Sequence, residues 1–130
     1  MSDVEKEILK VLNELLEFDE IYACMLVRKD LEGIIPSQEK FKKEIREIWE
    51  VLQEIMEEVF IIIEKYSKYG YGLGEIYFRV LDYEVMFFIL PDSDTALVAI
   101  VPYLANRGLI EIIMEKGRRE IMKILGVKYE

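Results

Sequence analysis

Acidic groups dominate the reactive side chains of this sequence, with 26 Asp and Glu against 17 Lys and Arg. They gather at Glu14, Glu17, Asp19 and Glu20, and again at Glu54, Glu57 and Glu58. Paired carboxylates can run hydrolysis or hold Mg²⁺. These sit on helical stretches or loops, interleaved with Lys, and nothing in their spacing builds a cleft. A solvated charged surface is the expectation, and such a surface can still steer a basic partner. The run Gly70-Tyr71-Gly72-Leu73-Gly74 looks like a phosphate loop. A phosphate loop, however, follows a strand and opens a helix, so that the helix N-terminus faces the anion. Here the glycines follow a helix and precede a strand, and no Lys-Ser or Lys-Thr comes after them. A helix-to-strand connection is expected instead.

Histidine is absent and Cys24 is the only cysteine. This removes the Ser-His and Cys-His nucleophile pairs, the usual zinc sites and the commonest general base. It also removes any internal disulfide. Cys24 lies among apolar neighbours on a predicted strand, so a small core residue is expected rather than a reactive thiol. No catalytic residue, no metal-ligand set and no cofactor is expected, and the chain is read as a non-enzyme.

The elements that must position any remaining function follow from composition and periodicity. The chain has 130 residues, of which 52% are apolar and 33% charged. That suits one compact domain over residues 1–130, with one core and a solvated surface. The net charge of −9 argues against nucleic acid as a partner. No apolar run approaches the roughly 20 residues that span a bilayer, and the first residues are acidic where a signal peptide is basic. A cytoplasmic protein with no membrane partner is expected. The abundance of Glu, Lys and Ile with few Asn, Gln, Cys and His resembles proteins from hot environments.

Ser2 to Glu5 fits a capping box, and Val4, Ile8, Val11, Leu12, Leu15 and Leu16 repeat at helical spacing, predicting a helix over Asp3–Glu17. Ile21–Val27 reads as a strand buried on both faces. Lys29 to Gly33 reads as a turn, with Gly33 supplying a positive φ. Ile34-Ile35 makes a short edge strand stopped by Pro36. Ser37 is placed as the cap of one long helix whose stripe runs from Phe41 to Tyr66, with Gly70 as its stop. Three strands follow: Glu75–Leu81, a turn at Asp82-Tyr83, Glu84–Leu90 and Thr95–Val101. Their short links predict an antiparallel meander. The last helix is expected over Leu109–Leu125, with Ile110, Ile113, Met114, Gly117, Ile121, Ile124 and Leu125 inward. The fold class is therefore α/β in the α+β sense: a five-stranded antiparallel sheet in the order α-β-β-α-β-β-β-α. The long middle helix covers one face and the terminal helices cover the other.

This element order resembles the roadblock (dynein light chain roadblock) family. The Arg28-Lys29-Asp30-Leu31-Glu32-Gly33 turn is similar to that family's first hairpin, and Asn106-Arg107-Gly108-Leu109 is similar to its N-x-G-L entry to the last helix. The resemblance covers about Val4 to Leu125. It implies a non-catalytic scaffold that pairs through its third strand and serves as a platform for Ras-like small GTPases. It makes a homodimer, with a small GTPase as a further partner, the leading expectation. Arg107, at the entry to the last helix, could then reach a GTPase as a finger, although a helix-entry Arg is usually only a solvated charge.

The residues themselves point the same way. Glu75–Leu81 falls at a sheet edge, long, apolar and free of Pro, an aggregation hazard unless something pairs with it or its charges Glu75 and Arg79 protect a monomeric edge. The expected dimer interface is Ile76, Tyr77, Phe78, Arg79, Val80 and Leu81 on that strand, with Trp49, Met56 and Phe60 on the margin of the long helix. Trp and Met are enriched at interface cores. The alternative is a small-molecule sensor with a pocket between the sheet and the long helix, lined by Tyr77, Phe78, Phe87 and Phe88.

Overall fold

A computed structural model of the chain describes residues 2–28, 33–68, 74–91 and 95–126, with backbone alone for 66–68. The first helix, α1 (Asp3–Leu15), starts where the Ser2 hydroxyl accepts the Glu5 amide at 3.1 Å. Satisfying an orphan donor of the first turn in this way fixes the start of the helix. It buries Ile8, Val11, Leu12 and Leu15 on one stripe. β1 (Ala23–Arg28) follows and pairs with the two-residue β2 (Gly33–Ile34). The expected turn at Lys29 to Glu32 lies outside the described residues. Gly33 itself opens β2. Its role is close approach: a Cβ there would overlap the Leu26 carbonyl oxygen.

The middle helix is not continuous from Ser37. A 3₁₀ turn (Gln38–Lys40) that the Ser37 side chain does not cap leads into the short α2 (Lys43–Glu47). Ile48 then leaves helical geometry at φ −109°, ψ 15°, and α3 (Trp49–Lys68) begins. No Gly or Pro marks the break. It coincides with the ring of Phe41, just before α2, meeting that of Trp49, the first residue of α3, at 5.6 Å. The expected stop at Gly70 lies outside the described residues.

β3 (Glu75–Val80), β4 (Tyr83–Ile89) and β5 (Thr95–Pro102) form the meander, and α4 (Arg107–Leu125) closes the chain. Asn106 caps α4 by accepting the Leu109 amide at 3.2 Å, and Gly126 ends it in the left-handed region at φ 73°. The sheet order is β2-β1-β5-β4-β3, antiparallel throughout. The expected fold is the observed one. The hairpin between β3 and β4 turns at Leu81-Asp82, one residue earlier than expected, with Leu81 at φ 55°.

Strand alternation divides the interior into two layers. Cys24, Leu26, Met86, Phe88, Leu97 and Ala99 pack against α1 and α4. Met25, Val27, Val85, Phe87, Val98 and Ile100 pack against α2 and α3. With both faces covered, the central strands are nearly continuous apolar runs, as a doubly covered sheet requires. Among the described residues, no helix is long and apolar enough to cross a membrane.

Candidate functional site

β3 ends the sheet, and among the described residues no strand lies beyond it. Its burial differs from that of its neighbours. β4 is buried from Glu84 to Ile89, whereas β3 is only half-buried, with Glu75 and Arg79 exposed. The direction of its backbone groups follows from register. The Ile89 amide donates to the Gly74 carbonyl at 2.9 Å, and Gly74 stands opposite Ile89 in the extended β3–β4 register. In an antiparallel ladder, bonded and non-bonded pairs alternate. Ile76, Phe78 and Val80 therefore bond to β4, and the amides and carbonyls of Glu75, Tyr77 and Arg79 point away from the sheet. This is an open edge of the kind that proteins protect or pair.

The two sides of β3 do different work. Ile76, Phe78 and Val80 lean on the α3 layer, where the Phe78 ring stacks on Phe87 at 5.8 Å and Phe60 meets Phe87 edge-on at 5.9 Å. Tyr77 lies on the α4 side, 5.8 Å from Phe88. There a groove of about 640 Å³ opens between β3 and α4, lined among others by Glu75, Tyr77, Phe88, Glu111, Ile112 and Arg118. Tyr77 and the Glu111 carboxylate share this groove, and the Tyr77 phenol feels both burial and charge there. Burial first, and then the carboxylates of Glu111 and Glu75, push its pKa up to about 12, against the opposing pull of Arg118.

Arg118 holds this edge in place. Its side chain is 5% exposed. Nη1 donates to the Gly74 carbonyl at 2.8 Å and the Ile89 carbonyl at 3.2 Å. Nη2 donates to Glu75 Oε1 at 2.8 Å and to Glu115. One guanidinium thus ties α4 to the first residues of β3 and the last of β4. Sequence reasoning missed it, because Arg118 stands in the charged run Arg118-Arg119-Glu120. The available signal was phase: Arg118 lies four residues after Met114 and three before Ile121, both of which are buried.

At the other end of β3, the Arg79 guanidinium sits 3.7 Å over the Tyr103 ring and its Nε donates to the Leu81 carbonyl at 2.9 Å. Leu81 belongs to the hairpin tip rather than to the strand, and is 68% exposed. Arg107 pairs with the buried Glu84 and lies 5.9 Å from the Tyr77 ring centre. Nη2 is committed to Glu84, while the Arg107 side chain as a whole stays 54% exposed.

The helix residues of the expected interface do not reach the surface together. Met56 (3% exposed) and Phe60 (2%) are packed inside the chain against the sheet. Trp49 is half-buried against Phe41. Among the described side chains of α3, the large apolar residues exposed are Val51, Ile61 and Ile62, which lie outside the expected interface. The sensor pocket also fails as drawn. Tyr77 and Phe88 face α4 while Phe78 and Phe87 face α3, so the four cannot line one cavity. Cys24 is fully buried, its thiol donates to the Leu12 carbonyl at 3.3 Å, and burial pushes its pKa up to about 12. Among the described residues, no cluster of His, Cys, Asp and Glu could hold a metal ion.

The whole arrangement has known counterparts. The structure of Myxococcus xanthus MglB superposes with a TM-score of 0.74 at 16% identity, over 99% of this chain and 96% of that one. The chain has an MglB-like, roadblock-like fold. The gliding protein MglB of Thermus thermophilus gives a TM-score of 0.66 at 12% identity, over 95% and 92% of the two chains. An MglB with tetrameric arrangement gives 0.65 at 12% identity, over 95% and 91%. No protein-family model and no curated protein matches the sequence.

Proposed function

We propose that this chain is a non-catalytic, homodimeric platform, confined to the cytoplasm, that binds or regulates a Ras-like small GTPase. The observation that carries the reading is the open edge of β3: outward amides at Glu75, Tyr77 and Arg79 on a strand with no Pro and only half its surface covered. An edge of this kind is normally blunted or occupied. Pairing with a second copy satisfies the backbone and extends the sheet across a two-fold axis. The MglB-like fold supports the reading, and the roadblock resemblance supplies the GTPase. Of the interface residues expected from sequence, Ile76, Tyr77, Phe78, Arg79 and Val80 remain, with Trp49 and Leu81 at the margins.

Two measurements test it. Light scattering over a dilution series should give twice the chain mass, and a monomer at all concentrations rejects the dimer. A purified Ras-like GTPase from the same organism should bind, or hydrolyse GTP at a changed rate. Neither effect in either nucleotide state rejects the platform.

A further inference from the structure

The edge of β3 also specifies how a second copy fits. In an antiparallel pair, opposed side chains share one face, so a two-fold axis must pass through a single residue position. We propose that two copies join with the axis at Tyr77, so that Glu75 of each chain stands opposite Arg79 of the other and Ile76 opposite Phe78. The inference rests on the dimer reading and adds its register.

The sequence Glu75-Ile76-Tyr77-Phe78-Arg79 is complementary to its own reverse. Glu75, Tyr77 and Arg79 carry the outward amides and carbonyls, so each of the three positions makes a bonded pair in this register. Opposite charges then face each other at both ends of the contact, which is favourable across strands, while like charges are unfavourable. An axis at Glu75 sets two carboxylates together, and one at Arg79 sets two guanidinium groups together. An axis at Ile76 or Phe78 places one member of the charge pair opposite a position outside β3, so the two charges no longer face each other. Glu75 uses Oε1 for Arg118 and Arg79 uses Nε for the Leu81 carbonyl, so each retains polar atoms for the cross-strand partner. On the α3 side, Ile76 meeting Phe78 continues the apolar layer across the axis. On the α4 side, the two Tyr77 rings lie side by side, and the two grooves along β3 open into one cleft walled by both α4 helices. That cleft exists only in the pair.

The test is a single-cysteine scan in the full chain: Ile76→Cys, Tyr77→Cys and Phe78→Cys, each beside the buried Cys24. A bonded antiparallel pair brings Cα atoms to about 5.5 Å, inside the span a disulfide bridges. Mild oxidation should link the Tyr77→Cys chains at least roughly tenfold faster than either neighbour, since those face a non-cysteine in this register. Comparable linking at position 76 or 78 overturns the register. So does no linking at 77 in a chain that light scattering shows to be dimeric. A monomeric mass removes the dimer reading along with it. Arg79 is exposed, so Arg79→Glu should fold normally. It would set a second carboxylate against Glu75 and weaken the dimer by about tenfold at low salt, with recovery as salt screens the repulsion. An unchanged dimer affinity overturns the charge pairing.

Discussion

Arg118→Met is the perturbation on which the positioning argument depends most. Met keeps the apolar stem that crosses Phe88, whose ring centre is 5.7 Å from the guanidinium carbon, and removes only the charged fork. The loss has separable parts. The Ile89 carbonyl loses the Nη1 donor that reaches it at 3.2 Å, and the Gly74 carbonyl loses one at 2.8 Å. The Gly74 carbonyl keeps the Ile89 amide at 2.9 Å, so the penalty falls on the buried Ile89 carbonyl, where a lost donor costs about 1–3 kcal/mol. Breaking a buried ion pair by removing one partner costs about 3–5 kcal/mol. Here the carboxylates are the more accessible partners, with Glu75 41% and Glu115 29% exposed, so water recovers part of their solvation. The low end applies, about 3 kcal/mol in all. Against a total stability of about 5–15 kcal/mol, that is a large fraction. Urea unfolding at fixed protein concentration should show it as a lowered midpoint, and hydrogen exchange should locate it. The Ile76 amide, which bonds to β4, should lose protection before the β1 and β5 amides do. A loss under about 1 kcal/mol, or exchange that rises evenly over the sheet, would refute the claim that Arg118 fastens the edge strand.

Three further outcomes follow from the same geometry. Gly33→Ala should detach β2 and cost about 2 kcal/mol or more, read by thermal unfolding, because its Cβ overlaps the Leu26 carbonyl with backbone on both sides. Cys24 should resist a thiol reagent in the native state at neutral pH and react only as fast as the protein opens, since its thiol is buried and its pKa lies near 12. Tyr77 has a folded pKa raised from 10.0 to about 12, so the protonated phenol is the form the fold favours. Its contribution is complete below pH 10, declines as pH rises towards 12, and should vanish from the difference between wild type and Tyr77→Phe measured across that window.

The layers were legible in the sequence because a covered sheet writes itself into composition. Unbroken apolar runs such as Val85 to Leu90 can exist only between two covers, and the element order supplied one helical cover on one side and two on the other. β3 was legible as an edge from the element order, because the first strand of the meander ends the sheet. What stayed hidden depends on direction rather than type. Met56 and Phe60 belong to an apolar stripe, and a stripe alone does not reveal which of its residues the sheet consumes. The sheet takes Leu52, Met56, Phe60 and Ile63, so Val51, Ile61 and Ile62 are left outside. The break at Ile48 carries no Gly or Pro, and only the meeting of Phe41 and Trp49 marks it. Arg118 is the sharpest case, because charge predicts exposure while helical phase predicts burial. Phase prevails because a guanidinium can satisfy two carbonyls and two carboxylates at once, turning a charged group on the inner face of α4 into the fastening of the strand on which the proposed dimer depends.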